Sequence, residues 1–158
     1  MSLVAEVVFQ SDESNRLPNE MEIRRLEDFF STGEKRLRIA KTLAENEQRI
    51  VQQASQKFWQ RCPKTPSNSG NPKLTALCQR DQGWYIRLVA YCVLAGNGQP
   101  MEEIGVIGMR DMYISLGVPL ANLAIAMTCV KKEALDILGS TDAAIAAPYF
   151  DQIIRALS

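Results

Sequence analysis

The sequence predicts an all-α chain that forms one domain over residues 1–158. Three observations carry that reading. Helix-start signals recur along the chain, and apolar residues return at spacings of three and four over long stretches. Runs of strict apolar–polar alternation, the mark of half-buried strands, are almost absent.

Taken in order, the first apolar positions are Leu3, Val4, Val7, Val8 and Phe9, spaced to cover a partner rather than to close this domain's own core. Asn19 followed by Glu22 has the form of a capping box, and Met21, Ile23, Leu26, Phe29 and Phe30 approximate one helical face. Ser31 and Glu34 repeat the box, with Gly33 between them. A long stretch follows in which Leu37, Ala40, Ala54 and Phe58 keep helical spacing, either one bent helix or two in succession. Cys62 to Lys73 is dense in Pro, Ser, Asn and Gly, and reads as a loop. Helical pattern resumes near Leu74 and stops at Gly96–Asn97–Gly98, after which Pro100 suits the first turn of a short helix. Gly117 and Pro119 mark another stop and start, and the next helix carries Leu123, Met127, Val130 and Ala134 to a stop at Gly139. A last helix starts near Ser140, where Pro148 predicts a kink or a late start. The sum is about seven or eight helices, too irregular for a four-helix bundle.

Composition narrows the function. Hydrophobic residues make up 46% and charged residues 23%, so the chain is an ordinary globular one, not a disordered tail or a fibrous stalk. Lys plus Arg and Asp plus Glu number 18 each, which gives no basis for electrostatic capture of nucleic acid or an anionic membrane. No histidine is present, which excludes haem held by a proximal His, His-based zinc sites, and Ser-His-Asp or Cys-His catalysis. Cys62, Cys78, Cys92 and Cys129 form no CxxC pair. Cys92 and Cys129 fall in apolar helical stretches as core residues, while Cys62 stands at a loop entry open to solvent. The N-terminus has no signal-peptide pattern and no apolar run is long enough to span a bilayer, so a soluble intracellular protein is expected.

The chemistry concentrates in CQRDQGWYIRLVAYCVLAG, Cys78 to Gly96. On a helix, Cys78, Asp81 and Tyr85 share one stripe, and Arg80 and Trp84 the adjacent one. A thiol, a carboxylate, a guanidinium and two aromatics thus converge just after a flexible loop. Spacing alone leaves two readings open: a ligand site, or a core cysteine beside a surface Arg–Asp pair and packing aromatics.

At these residues the sequence resembles the phycobiliproteins, and within them the α-type allophycocyanin subunits. The family's chromophore motif stands here as Cys78-Gln79-Arg80-Asp81, then Trp84-Tyr85-Ile86-Arg87. Similarity continues through YCVLAGNGQPMEEIGVIGMRDMYISLGVPL, in the earlier run Ser31 to Ala40, and more loosely from Ala147 to Leu157. The resemblance implies a globin-like helical domain with two extra N-terminal helices that dock on a partner. It implies one phycocyanobilin joined by a thioether to Cys78, with non-covalent binding as the alternative. Asp81 would accept from the pyrrole N–H groups and balance a protonated bilin. Arg80 would pair with a propionate. Trp84, Tyr85 and Tyr113 would pack on or beside the rings, and Leu116 and Val118 would line the far wall. Trp84 stands where an α allophycocyanin usually shows Tyr, Leu77 precedes the cysteine, and Gly70 to Leu77 looks a few residues short. In these departures the chain resembles red-shifted or far-red variants.

The implied function is light harvesting in a phycobilisome core or related antenna, on the cytoplasmic face of the thylakoid or the stromal side in a chloroplast. Red or far-red light would be absorbed and the excitation passed towards the photosystems. The implied partners are a β-type allophycocyanin subunit, in heterodimers and then trimeric rings or larger assemblies, and linker proteins, with no nucleic acid and no enzymatic activity. The alternatives are an unpigmented structural or adapter subunit of the same antenna, and an enzyme with Cys78 as nucleophile, for which the sequence offers no histidine base.

Overall fold

The computed structural model describes residues 2–158, and every element among them is helical. Six α-helices follow in order: α1 (Leu3–Glu13), α2 (Glu20–Ser31), α3 (Gly33–Arg61), α4 (Pro72–Ala95), α5 (Met109–Ser115) and α6 (Leu120–Leu157). A 3-10 turn, Pro66–Asn68, interrupts the loop before α4, and a π-helical turn, Met101–Val106, precedes α5.

Local chemistry sets most boundaries. Ser2 Oγ accepts from the Ala5 amide at 3.2 Å and opens α1. At α2 the capping box is complete, with Asn19 Oδ1 accepting from Glu22 N at 3.0 Å and Glu22 Oε2 from Asn19 N at 2.7 Å. Pro72 occupies the first turn of α4 behind the cap Asn71. Gly96 ends α4 at φ 70°, a conformation that a side chain would resist, and its missing Cβ leaves room for Phe29 and Arg36.

Three expectations are corrected. The second capping box does not form: α3 starts from Thr32 at φ −91° and ψ 1° with no side-chain cap. Its hydroxyl bonds back to the Asp28 carbonyl of α2 at 2.9 Å, so the chain passes between helices with no extended residue to present a cap. Pro148 lies inside helix α6, and the interruption falls at Gly139 instead, at φ 73° and ψ 165°. Val7 is buried within this chain at 1% exposure, whereas Val4, Val8 and Phe9 remain at 40%, 61% and 51%.

α3, α4 and α6 pack against one another and hold the core. Ile39, Leu43, Ile50 and Phe58 come from α3, Tyr85, Leu88, Val89 and Cys92 from α4, and Met127, Val130, Phe150 and Ile153 from α6. Truncating a fully enclosed side chain such as Leu43 to Ala would cost about 2–5 kcal/mol. Ion pairs staple the outer seams, including Arg38 to Asp142 through a fork of 2.9 and 2.8 Å. Gly83 lets the Glu47 carboxylate of α3 lie directly on α4, where a Cβ would stand 2.6 Å from Glu47 Oε1. The α1–α2 hairpin joins this body at the end of α2, where Phe29 packs against Arg36 of α3 and the Gly96 end of α4. The architecture is the expected globin-like body with two added N-terminal helices.

Candidate functional site

The start of α4, the 3-10 turn and α5 surround two adjoining clefts of about 250 and 280 Å³. Together they fall within the usual size range of small-molecule sites. Arg80, Asp81, Tyr113 and Leu116 line both. The first is deep and mostly apolar, with Phe58, Leu77, Cys78, Val118 and Leu123 among its walls and Thr65–Pro66–Ser67 along one side. The second runs over Trp84, Arg87 and Met112.

That loop wall is held by specific bonds. Trp59 Nε1 donates to Ser67 Oγ at 3.1 Å, and Thr75 Oγ1 donates to the Ser67 carbonyl at 2.8 Å. The segment dense in Pro and Ser is therefore a fixed wall, with Thr65 and Ser67 buried.

Asp81 sits where the clefts meet, with its side chain 22% exposed. Arg80 donates Nε and Nη2 to its Oδ1 at 3.0 and 2.8 Å, and Tyr113 donates its hydroxyl to Oδ2 at 3.1 Å. Burial, then the neighbouring Tyr85 hydroxyl and the Asp81 carboxylate, push the Tyr113 hydroxyl far above its ordinary range. It stays protonated, a permanent donor to Asp81. Arg80 is two-thirds exposed, so little holds it in this folded-back position beyond Asp81 itself.

Of the eight residues singled out from the sequence, Cys78, Arg80, Asp81, Tyr113, Leu116 and Val118 all line the first cleft. Trp84 lines only the second. Tyr85 lines neither: fully enclosed, it packs against Trp84 with ring centroids 5.0 Å apart and aims its hydroxyl at Met109 Sδ. Burial pushes that hydroxyl up to about 12. The expected stripe thus divides, with Cys78 and Asp81 turned to the cleft and Tyr85 to the core.

The other cysteines line neither cleft. Cys92 and Cys129 are buried, and burial pushes the Cys92 thiol up to about 11. Cys62 is half-buried against the core rather than open to solvent. Among the described residues, no group of side chains is arranged to hold a metal ion.

Sequence reasoning missed Ser55 and Gln82. Gln82 Nε2 donates to Cys78 Sγ at 3.3 Å, and Ser55 Oγ donates to Gln82 Oε1 at 3.2 Å. The available signal was a polar residue four places after the cysteine, on the same helical stripe. Arg87 was visible in the motif without a role. It borders the second cleft and pairs with Glu47 of α3.

A family profile described as "Phycobilisome protein" matches residues 6–157. The chain is 48% identical to the "Allophycocyanin subunit alpha-B" of a Nostoc species, over 100% of both chains. It is 47% identical to the "Allophycocyanin alpha-B chain" of a Synechococcus species, over 99% of this chain and 98% of the relative. Identity to the "Allophycocyanin alpha chain" of Thermosynechococcus vestitus is 43%, over 99% of each. With a profile match over nearly its whole length and full-length relatives at this identity, the chain belongs to the phycobilisome protein family.

Proposed function

We propose that this chain is a pigment-bearing, non-enzymatic light-harvesting subunit of a phycobilisome core or related antenna, holding one linear tetrapyrrole, phycocyanobilin, through a thioether to Cys78. The observation that carries the reading is the placement of Cys78 and Asp81 on the wall of one apolar cleft, with Asp81 at its junction with a second. The residues present suit such a molecule. An elongated, largely apolar pigment needs a long apolar trough, a central counter-charge and cations at the rim. The clefts, Asp81 and the two arginines Arg80 and Arg87 correspond to these.

When bound, the bilin supplies an extended conjugated system that absorbs visible light. The chain's residues anchor, charge and stiffen it. Cys78 would hold it through a thioether, a link made by adding the S–H across a C=C of the pigment, one C–S and one C–H bond replacing it with no leaving group or oxidant. Asp81 accepts from the pyrrole N–H groups, keeping the Tyr113 bond on its other oxygen. Arg80 swings from Asp81 to a propionate, a short movement for an exposed side chain. Tyr113 and Trp84 flank the rings, Leu116 and Val118 close the far wall, and Tyr85 braces Tyr113 from behind. Trp84 adds aromatic surface along the second cleft, which favours coplanar rings and absorption at the red or far-red end.

Cys78 is supported as an anchor rather than an enzymatic nucleophile, because its polar partner is the amide of Gln82, which takes up no proton. The exposed apolar residues Val8, Phe9, Leu17, Met21 and Phe30 support pairing with a β-type subunit and assembly into rings or larger antennae, with linker proteins. No described helix is long and apolar enough to cross a membrane, in keeping with peripheral attachment at the cytoplasmic face of the thylakoid. The test is one absorption spectrum of the purified native protein, before and after acid–urea denaturation. A red or far-red band that collapses to a denatured bilin spectrum supports the reading. A colourless protein from pigment-making cells makes it an unpigmented adapter.

A further inference from the structure

We infer that Gln82 is a positioning residue for Cys78, holding the thiol towards the cleft. The inference rests on the reading of Cys78 as the attachment point. Gln82 is 0% exposed, on the side of α4 packed against α3, where an apolar side chain of similar size would fill the space. Burying a primary amide is costly unless both its ends are bonded. Here the bonds run in one direction. Ser55 Oγ, itself 0% exposed, donates to Oε1 at 3.2 Å, which leaves the amide nitrogen turned to Cys78 Sγ at 3.3 Å. The relay crosses from α3 to α4 and ends on the one cysteine that lines the first cleft.

A directional N–H···S bond selects one side-chain rotamer for a helical sulfur that would otherwise sample more than one. Gln82 lines neither cleft and keeps clear of an incoming ligand. It acts only through Cys78.

The test uses the full-length, pigment-free chain and the probe iodoacetamide, with alkylation at each cysteine followed by peptide mass spectrometry across a pH series. Gln82→Leu keeps the volume and removes the donor. The expected result is alkylation of Cys78 slowed about threefold at every pH, as the thiol spends part of its time turned away from the cleft. Ser55→Ala, which frees the amide to turn, should slow it about twofold, and Ser55→Thr, which keeps the donor, should restore the original rate. Cys62 serves as the internal control and should react at its original rate in all three variants. An unchanged Cys78 rate in Gln82→Leu overturns the inference, as does a Ser55→Thr variant as slow as Ser55→Ala. Loosened packing would instead speed Cys62, Cys92 and Cys129, and that pattern also counts against it. Should Gln82→Leu fail to fold, Ser55→Ala decides by the same criteria. Pigment loading is read separately by co-expression with bilin synthesis. Slowed Cys78 alkylation in the Gln82→Leu form of a chain that never takes up bilin would sink the pigment reading while leaving the Gln82–Cys78 relationship standing.

Discussion

Tyr113 of α5 donates its hydroxyl to Asp81 of α4 at 3.1 Å, linking the wall of the cleft to its only carboxylate. The bond lies at the cleft wall, and Arg80 occupies the other carboxylate oxygen. Any cation placed in the cleft therefore meets a carboxylate already oriented through both of its oxygens.

Asp81→Asn keeps the size and one acceptor oxygen but removes the charge that would balance a protonated bilin. Loss of a charge-assisted hydrogen bond is worth about 1.5–3 kcal/mol, or about one to two pKa units for the pigment. The cation becomes less favoured, so the pigment's pKa falls. On raising the pH, the visible band should weaken and move to the blue at a lower pH in the variant than in the original, with a reduced fluorescence yield. An unchanged titration would remove Asp81 from the pigment's inner contacts.

Tyr113→Phe tests the other half of that pair. The ring remains and the donor is lost, leaving Asp81 Oδ2 with one partner fewer. A destabilisation of about 1 kcal/mol in urea unfolding is expected, together with a lower fluorescence yield as the carboxylate gains freedom. Equal midpoints and equal yields would show that the bond orders nothing.

Cys78→Ser should abolish zinc-enhanced fluorescence of the denatured chain on a gel. Absorbance that persists in the folded variant would identify non-covalent binding, and a surviving covalent band would place the link at another cysteine.

Glu22 gives the hairpin an acid-sensitive latch. Hydrogen bonding by the Arg16 guanidinium, at 2.7 and 2.9 Å, and by the Asn19 amide brings its carboxyl down to about 2. A lowered folded-state value means the stabilisation is fully present above the ordinary carboxyl range and is lost as pH falls from about 4.5 towards about 2. Glu22→Gln should be less stable than the original chain in urea at pH 6, with the gap closing as pH falls through that window. A gap that stays constant with pH would deny the carboxylate this role.

Much of this architecture is written locally in the chain. Asn19–Glu22, Pro72 and Gly96 announce their helix ends because caps and turn glycines act over a few residues. Ser31 and Glu34 misled for the opposite reason: their function depends on whether the backbone extends between α2 and α3, and the packing of those helices decides it. Periodicity likewise put Cys78, Asp81 and Tyr85 on one stripe, but a stripe has width. Met109 of α5 meets the Tyr85 hydroxyl, so Tyr85 went inside while Cys78 and Asp81 kept the cleft. Val7 is buried although its neighbours are not, because α2 folds back across a single edge of α1. Ser55 and Gln82 lie 27 positions apart, and no local pattern joins two residues that meet only when α3 and α4 pack.

The exposed face of the α1–α2 hairpin turns supply into a physical variable. Val8, Phe9, Met21 and Phe30 on the two helices, and Leu17 in the turn between them, reach solvent, and unfolding the hairpin would relieve none of that exposure. Relief comes only from covering the face. Paired as proposed, a copy made in excess of its cover would be left to associate with its own kind or to be degraded, and the hairpin would thereby tie the size of the assembly to the number of complete pairs.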